Sequence, residues 1–249
     1  MDDPKKDDIL KTEIRSLYAL HLGLALDEMR EAEDLVKDAS HGDNWFKARR
    51  LSLSSILHAF CSLEALLNYL GYRRFFYPEA GEYILPEKRD FLLNHFLKSW
   101  DILRVTEKVS ALLWSYSNNV LPQDMECRLI ELNNLRNWIA HGKTYHTISL
   151  IEQHPDIPHG YYIVDEEVSV DWSKKFPRCK FKEPHSLDHQ DARITLRLII
   201  ELFLHISKMT GHNWFFTTFY PNVCPHGLYG NLPADIDGFF GSSKTEQAS

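Results

Sequence analysis

Leu135-Arg136-Asn137-Trp138-Ile139-Ala140-His141-Gly142 ends a leucine-spaced segment and concentrates more reactive chemistry than any other stretch of the chain. Leu129, Leu132, Leu135, Trp138 and Ile139 recur at helical spacing. Pro122 suits the first turn of that helix, and Gly142 suits its end. The segment therefore predicts a helix that stops just after a histidine. Arg136 brings a permanent cation with a planar donor fork that matches phosphate. His141 brings the side chain type that exchanges protons near neutral pH.

Each helical residue turns by about 100°. Asn133, Asn137 and His141 therefore form one stripe at i, i+4 and i+8, and Arg136 lies about 140° from His141, on its flank. A polar stripe opposite an apolar surface is also the ordinary wet face of an amphipathic helix. Spacing alone leaves both readings open.

Working outward, Ile14, Leu17, Leu20, Leu24, Met29 and Leu35 predict a helix over 7–39, broken at His41-Gly42-Asp43-Asn44. Leu53, Ile56, Leu57, Phe60, Leu63, Leu67 and Leu70 predict a second over 45–71, with Gly71 as its C-cap. Residues 72–86, with Pro78, Gly81 and Pro86, predict a loop, and 87–118 a helix broken near Lys98. The period then changes. Thr144–Ile151 and Tyr161–Trp172 predict a β-hairpin with a long turn. Ile194, Leu198, Ile199, Leu202, Phe203 and Ile206 predict a last helix over 187–210. The expectation is an all-α antiparallel bundle in one domain, 1–249. Its helical core is 7–142 and 187–210, its β-rich insert 144–182, and its irregular C-terminal extension 211–249.

The composition, 44% hydrophobic and 25% charged, supplies material for an ordinary core. The chain shows no apolar run near the ~18 residues of a membrane span, and Met1–Asp8 has no signal-peptide core. Cys61, Cys127, Cys179 and Cys224 are widely spaced. Cys61 and Cys127 fall in apolar helical patterns and read as buried thiols of a reducing cytoplasm. A net charge of −7 argues against a general nucleic-acid binder. The densest positive cluster is Lys174, Lys175, Arg178, Lys180 and Lys182; with Lys143 it forms a weak nucleic-acid-binding set whose plain reading is a solvated loop.

Arg136-Asn137-x-x-x-His141, after a leucine-rich helix and before Gly142, resembles the R-x4-6-H signature of the HEPN domains. Phe60-Cys61-Ser62-Leu63-Glu64-Ala65-Leu66-Leu67-Asn68 resembles the second helix of that family, where an acidic residue sits in a long apolar helix. The resemblance spans roughly 7–142 and the helix at 188–210. It implies an all-α HEPN-like bundle and a metal-independent endoribonuclease, a toxin or defence component. It also implies a homodimer in which two copies of the motif face one cleft, with RNA as substrate and no cofactor. In that arrangement His141 takes the proton of a ribose 2′-OH. Arg136 stabilises charge on the five-coordinate phosphorus, and Asn137 orients His141 or binds phosphate. A second His141 protonates the leaving 5′-oxygen, giving 2′,3′-cyclic phosphate and 5′-OH ends. One branch of the family has a tyrosine two residues after the histidine and pairs with nucleotidyltransferase antitoxins. Here Lys143 occupies that position and the next tyrosine is Tyr145, a departure from that branch. An antitoxin or other protein partner remains an open expectation.

Two supporting residues complete the set. Asn133 belongs to the stripe. Glu64, a carboxylate in an apolar helix, needs a partner if buried: Arg136 is one candidate, another group or water the alternative. Trp138 and Ile139 beside the polar stripe suit a dimer interface, and Trp138 suits the core of one chain equally. Cys224-Pro225-His226 with Cys179 and His185 matches no standard closed zinc site, so no metal is expected. No Gly-rich phosphate loop or Ser-His-Asp constellation is legible. Two other functions stay open: a non-catalytic HEPN-like module that binds nucleotide, RNA or a protein, and a structural helical dimerisation scaffold.

Overall fold

A computed structural model describes residues 16–37, 42–76, 87, 90, 97–142, 147–158, 160–168 and 170–210. About three quarters of them are helical, and the one sheet among them has two strands, so the fold is all-α with a hairpin. The elements are α1 (Tyr18–Lys37), α2 (Gly42–Gly71), a π-helical turn (Tyr72–Phe76) and a 3-10 turn (Leu97–Ile102). They continue with α3 (Val105–Ser117), α4 (Gln123–His141), β1 (Thr147–Gln153), β2 (Tyr161–Val168), α5 (Trp172–Lys175) and α6 (His189–Thr210). The predicted N-terminal extension of α1 before Ser16, Lys143, Cys224, His226 and the extension 211–249 lie outside the described residues.

The chain divides into two compact units. The first draws its described residues from 16–21, 61–121 and 203–210. Leu63, Leu66, Leu67, Leu70, Val109, Leu112 and Leu113 are buried in it, the apolar stripes that the 3.6-residue period predicts. Tyr18 packs against Tyr69 and Phe203 at ring distances of 6.2 and 6.4 Å. Arg74, although buried, donates to the Ser115 carbonyl at 2.8 Å and lies over the Tyr116 ring at 4.2 Å. The break predicted near Lys98 is the 3-10 turn, after which Glu107 accepts the Arg104 N–H at 2.7 Å and starts α3. Asn118, left-handed at φ 55°, ends it.

Gly71 is not the C-cap that its position suggested. The chain continues into the Tyr72–Phe76 turn, where a loop was expected, and Gly71 has no left-handed φ. Its small size is needed instead by the buried Trp100: a Cβ there would come within 2.1 Å of the indole. Gly71→Ala is expected to destabilise the protein by about 2 kcal/mol through overpacking, read as a lower denaturation midpoint at unchanged slope. An unchanged midpoint would mean that the indole moves aside freely.

The second unit draws its described residues from 22–60 and 122–202. Here α1 and α2 meet through small residues: Ala25, Ala32, Ala48, Ser52, Ser55 and Ala59 are all buried. The hydroxyls of the two buried serines are satisfied, Ser55 donating to the Ala25 carbonyl at 2.7 Å and Ser52 to the Ala48 carbonyl at 2.8 Å. Glu28 accepts from Ser54 and contacts His58 Nδ1, each at 2.8 Å. Burial raises the energy of the Glu33 carboxylate, but hydrogen bonding and charge from Arg193, 2.6 Å away, and from Lys37 bring its pKa below the ordinary value.

The hairpin is antiparallel, with Ile151 opposite Ile163 and Gln153 opposite Tyr161, and its register shifts between Leu150 and Ile151. Trp172, expected in the second strand, starts the short α5. The reason is Asp171, whose carboxylate accepts the Lys174 N–H and caps that turn. The last helix starts at His189, two residues later than predicted. There the buried Asp191 accepts the N–H groups of Lys182 and Asp188 at 3.0 and 3.1 Å.

Two further expectations are revised. Cys61 and Cys127 are half-buried, and Cys179 is the buried thiol among the described residues. One helical stretch, Asn44–Phe76, is long and apolar enough by length and composition to cross a bilayer, where none was expected. Half of its apolar window is buried inside the protein, as in a core helix.

Candidate functional site

α4 forms as the sequence predicts. Pro122 caps its start, Asp124 and Glu126 lie in its first turn, and Gly142 ends it at φ 53° with its N–H on the Trp138 carbonyl. The acids favour the positive end of the helix dipole, and the glycine takes the left-handed conformation at no steric cost. Leu129, Leu132 and Leu135 are buried. The polar stripe runs outward along the helix: Asn133, Arg136 and Asn137 are half-buried, and His141 is exposed in the last turn.

The structure brings Arg136 and Asn137 together. An Arg136 Nη1 hydrogen donates to Asn137 Oδ1 at 3.0 Å. The Arg136 guanidinium lies over the buried Phe60 ring, 5.1 Å from its centroid, a cation–π contact. His141 stands five residues on, beside the open end of the helix. The group therefore offers an oriented cation, a neighbouring amide and an exposed imidazole within the last two turns of one helix.

Glu64 is half-buried on α2. Its charge acts on Lys108: burial lowers the pKa of that ammonium, and Glu64 and Asp101 oppose the shift. Lys108 also donates to Asn68 at 2.8 Å.

The basic cluster is partly neutralised. Lys174 pairs with Asp171 at 2.8 Å, and Arg178 reaches Asp124 at 3.6 Å and Glu131 at 3.9 Å. Hydrogen bonds from Lys174 and Ser173 pull the Asp171 carboxyl down to about 2. Lys175 and Lys180 are exposed.

Glu131 is the residue that sequence reasoning missed. Only 6% exposed, its carboxylate accepts the N–H of Cys179 at 2.8 Å and that of Arg178 at 3.1 Å. It thereby fastens the 176–180 turn to α4. Burial, then the Glu131 charge and hydrogen bond, push the Cys179 thiol up to about 12, so it is no ready metal ligand or nucleophile. The signal was available: Glu131 falls between Leu129 and Leu132 on the buried side of α4, as anomalous there as Glu64 in α2.

Trp138 meets Trp172 of its own chain edge-on at 5.0 Å, and the stack continues through Phe176 and Phe181. This aromatic ladder half-buries Trp138 without a second chain. No cluster of His, Cys, Asp and Glu suited to a metal ion occurs among the described residues. Comparison with known proteins returns no matching family model, curated protein or solved structure.

Proposed function

We propose that this chain is a HEPN-like endoribonuclease that cleaves RNA without a metal, with Arg136, Asn137 and His141 as its working residues. One observation carries the reading. Arg136 is held by Asn137 and Phe60 on α4, and His141 is exposed five residues on, in the last turn of the same helix before Gly142. Such a group supplies what transesterification needs: an imidazole that can take a proton and a positive fork for the phosphate.

In this reading His141 takes the 2′-OH proton, the 2′-oxygen bonds to phosphorus, and the bond from phosphorus to the 5′-oxygen breaks. A second His141, contributed by a partner copy, protonates that oxygen. The products are a 2′,3′-cyclic phosphate and a 5′-OH.

The test is incubation of the purified protein with mixed RNA in EDTA, followed by end-group analysis. The expected result is cleavage with cyclic phosphate ends. Activity only with Mg²⁺, or activity indifferent to His141→Ala, would overturn the mechanism. A second reading, a HEPN-like module that binds RNA, nucleotide or protein without cutting, draws support from the net charge of −7 and from the engagement of Arg136 within its own helix. Binding without cleavage in the same assay would favour it.

A further inference from the structure

At the start of α2, Trp45 and Phe46 are 53% and 64% exposed. Their ring centroids are 4.9 Å apart at 81°. Two large rings side by side in water are an unfavourable surface unless something covers them. Three cations, Lys47, Arg49 and Arg50, lie within the next four residues of the sequence. The Arg49 guanidinium lies 5.6 Å from the Trp45 centroid. It also reaches the Pro184 carbonyl at 3.4 Å and His185 Nδ1 at 3.5 Å, bringing a second exposed element to the same place. Lys47 is taken up by Glu31 at 2.7 Å, while Arg50 is exposed.

We infer that this face is a stacking platform for single-stranded nucleic acid. The chemistry selects that occupant. Each base has an apolar face that stacks on an aromatic ring, and each nucleotide carries a negative phosphate that suits Arg49 and Arg50. Two rings at right angles cannot hold one base between them, but a flexible strand can lay successive bases on each. A duplex keeps its base faces stacked inside and offers the rings nothing. A locally basic aromatic face also stands apart on a chain of net charge −7. The ribonuclease reading enters only in making RNA the natural ligand.

The test uses the full chain and a short fluorescent DNA strand, which has no 2′-OH and cannot be cut by the proposed mechanism. Anisotropy is measured for wild type, Trp45→Ala, Trp45→Phe, Phe46→Ala and Arg50→Ala. Trp45→Ala and Phe46→Ala are each expected to weaken binding about tenfold, Trp45→Phe much less, and the matching duplex is expected to bind more weakly than the strand. Equal binding by wild type and the alanine variants would overturn the platform. So would no binding of the strand by wild type, or an aromatic requirement seen only with phosphatidylserine vesicles. Intact binding together with absent RNA cleavage would sink the ribonuclease reading and leave the platform standing.

Discussion

His141→Ala is expected to lower RNA cleavage by about 10²–10⁴-fold, the range that a positioned proton-transfer group contributes, while the melting temperature stays where it was. The side chain is exposed in the last turn of α4, so its removal leaves no cavity. Arg136→Lys extends the test. Lysine keeps the charge but loses the planar fork that holds two phosphate oxygens, and turnover should fall by about 10² or more. Because Arg136 also sits over Phe60 and donates to Asn137, a stability loss of about 1 kcal/mol should accompany it. Glu64→Gln is the control, since it changes a carboxylate whose charge acts on Lys108. A large drop in melting temperature with normal activity per folded Arg136→Lys molecule would refute the catalytic role of Arg136.

Glu131→Leu should give the largest stability loss. The leucine matches the apolar neighbours of that position, yet it removes the acceptor of two backbone N–H groups, those of Arg178 and Cys179. Leaving such donors unsatisfied away from water costs about 1–3 kcal/mol each. The total, about 3 kcal/mol, corresponds to a fall on the order of 10 °C for a protein of this size. Glu131→Gln keeps one acceptor oxygen and should lose roughly half as much. Calorimetry on both variants decides. If Glu131→Leu melts with the wild type, the carboxylate does not hold the 176–180 turn.

The candidate site was legible in the sequence as a local object. Asn133, Arg136, Asn137 and His141 share one helix, and its borders are written in Pro122 and Gly142. The partners of those members were not legible. Nothing in the sequence paired Arg136 with the Phe60 ring. The weak nucleic-acid-binding set read as one positive run, whereas Lys174 and Arg178 are tied to carboxylates. Trp138, equally suited to a dimer interface by its sequence context, is half-covered by Trp172.

The sequence by itself determined the helical class, the extent of α4 and the place of the hairpin, whereas α2 begins at Gly42, inside the break expected at 41–44. Those depend on period and on glycine or proline punctuation, which act over a few residues. Tertiary structure decided what each buried polar or small residue is for. Gly71 has the size of a helix stop, but Trp100 needs the space. Glu131 has the look of a misplaced surface acid, but the backbone it satisfies lies 48 residues away. A buried donor or acceptor must find a partner wherever the fold brings one, and that pairing is set by packing between distant segments, which local pattern does not encode.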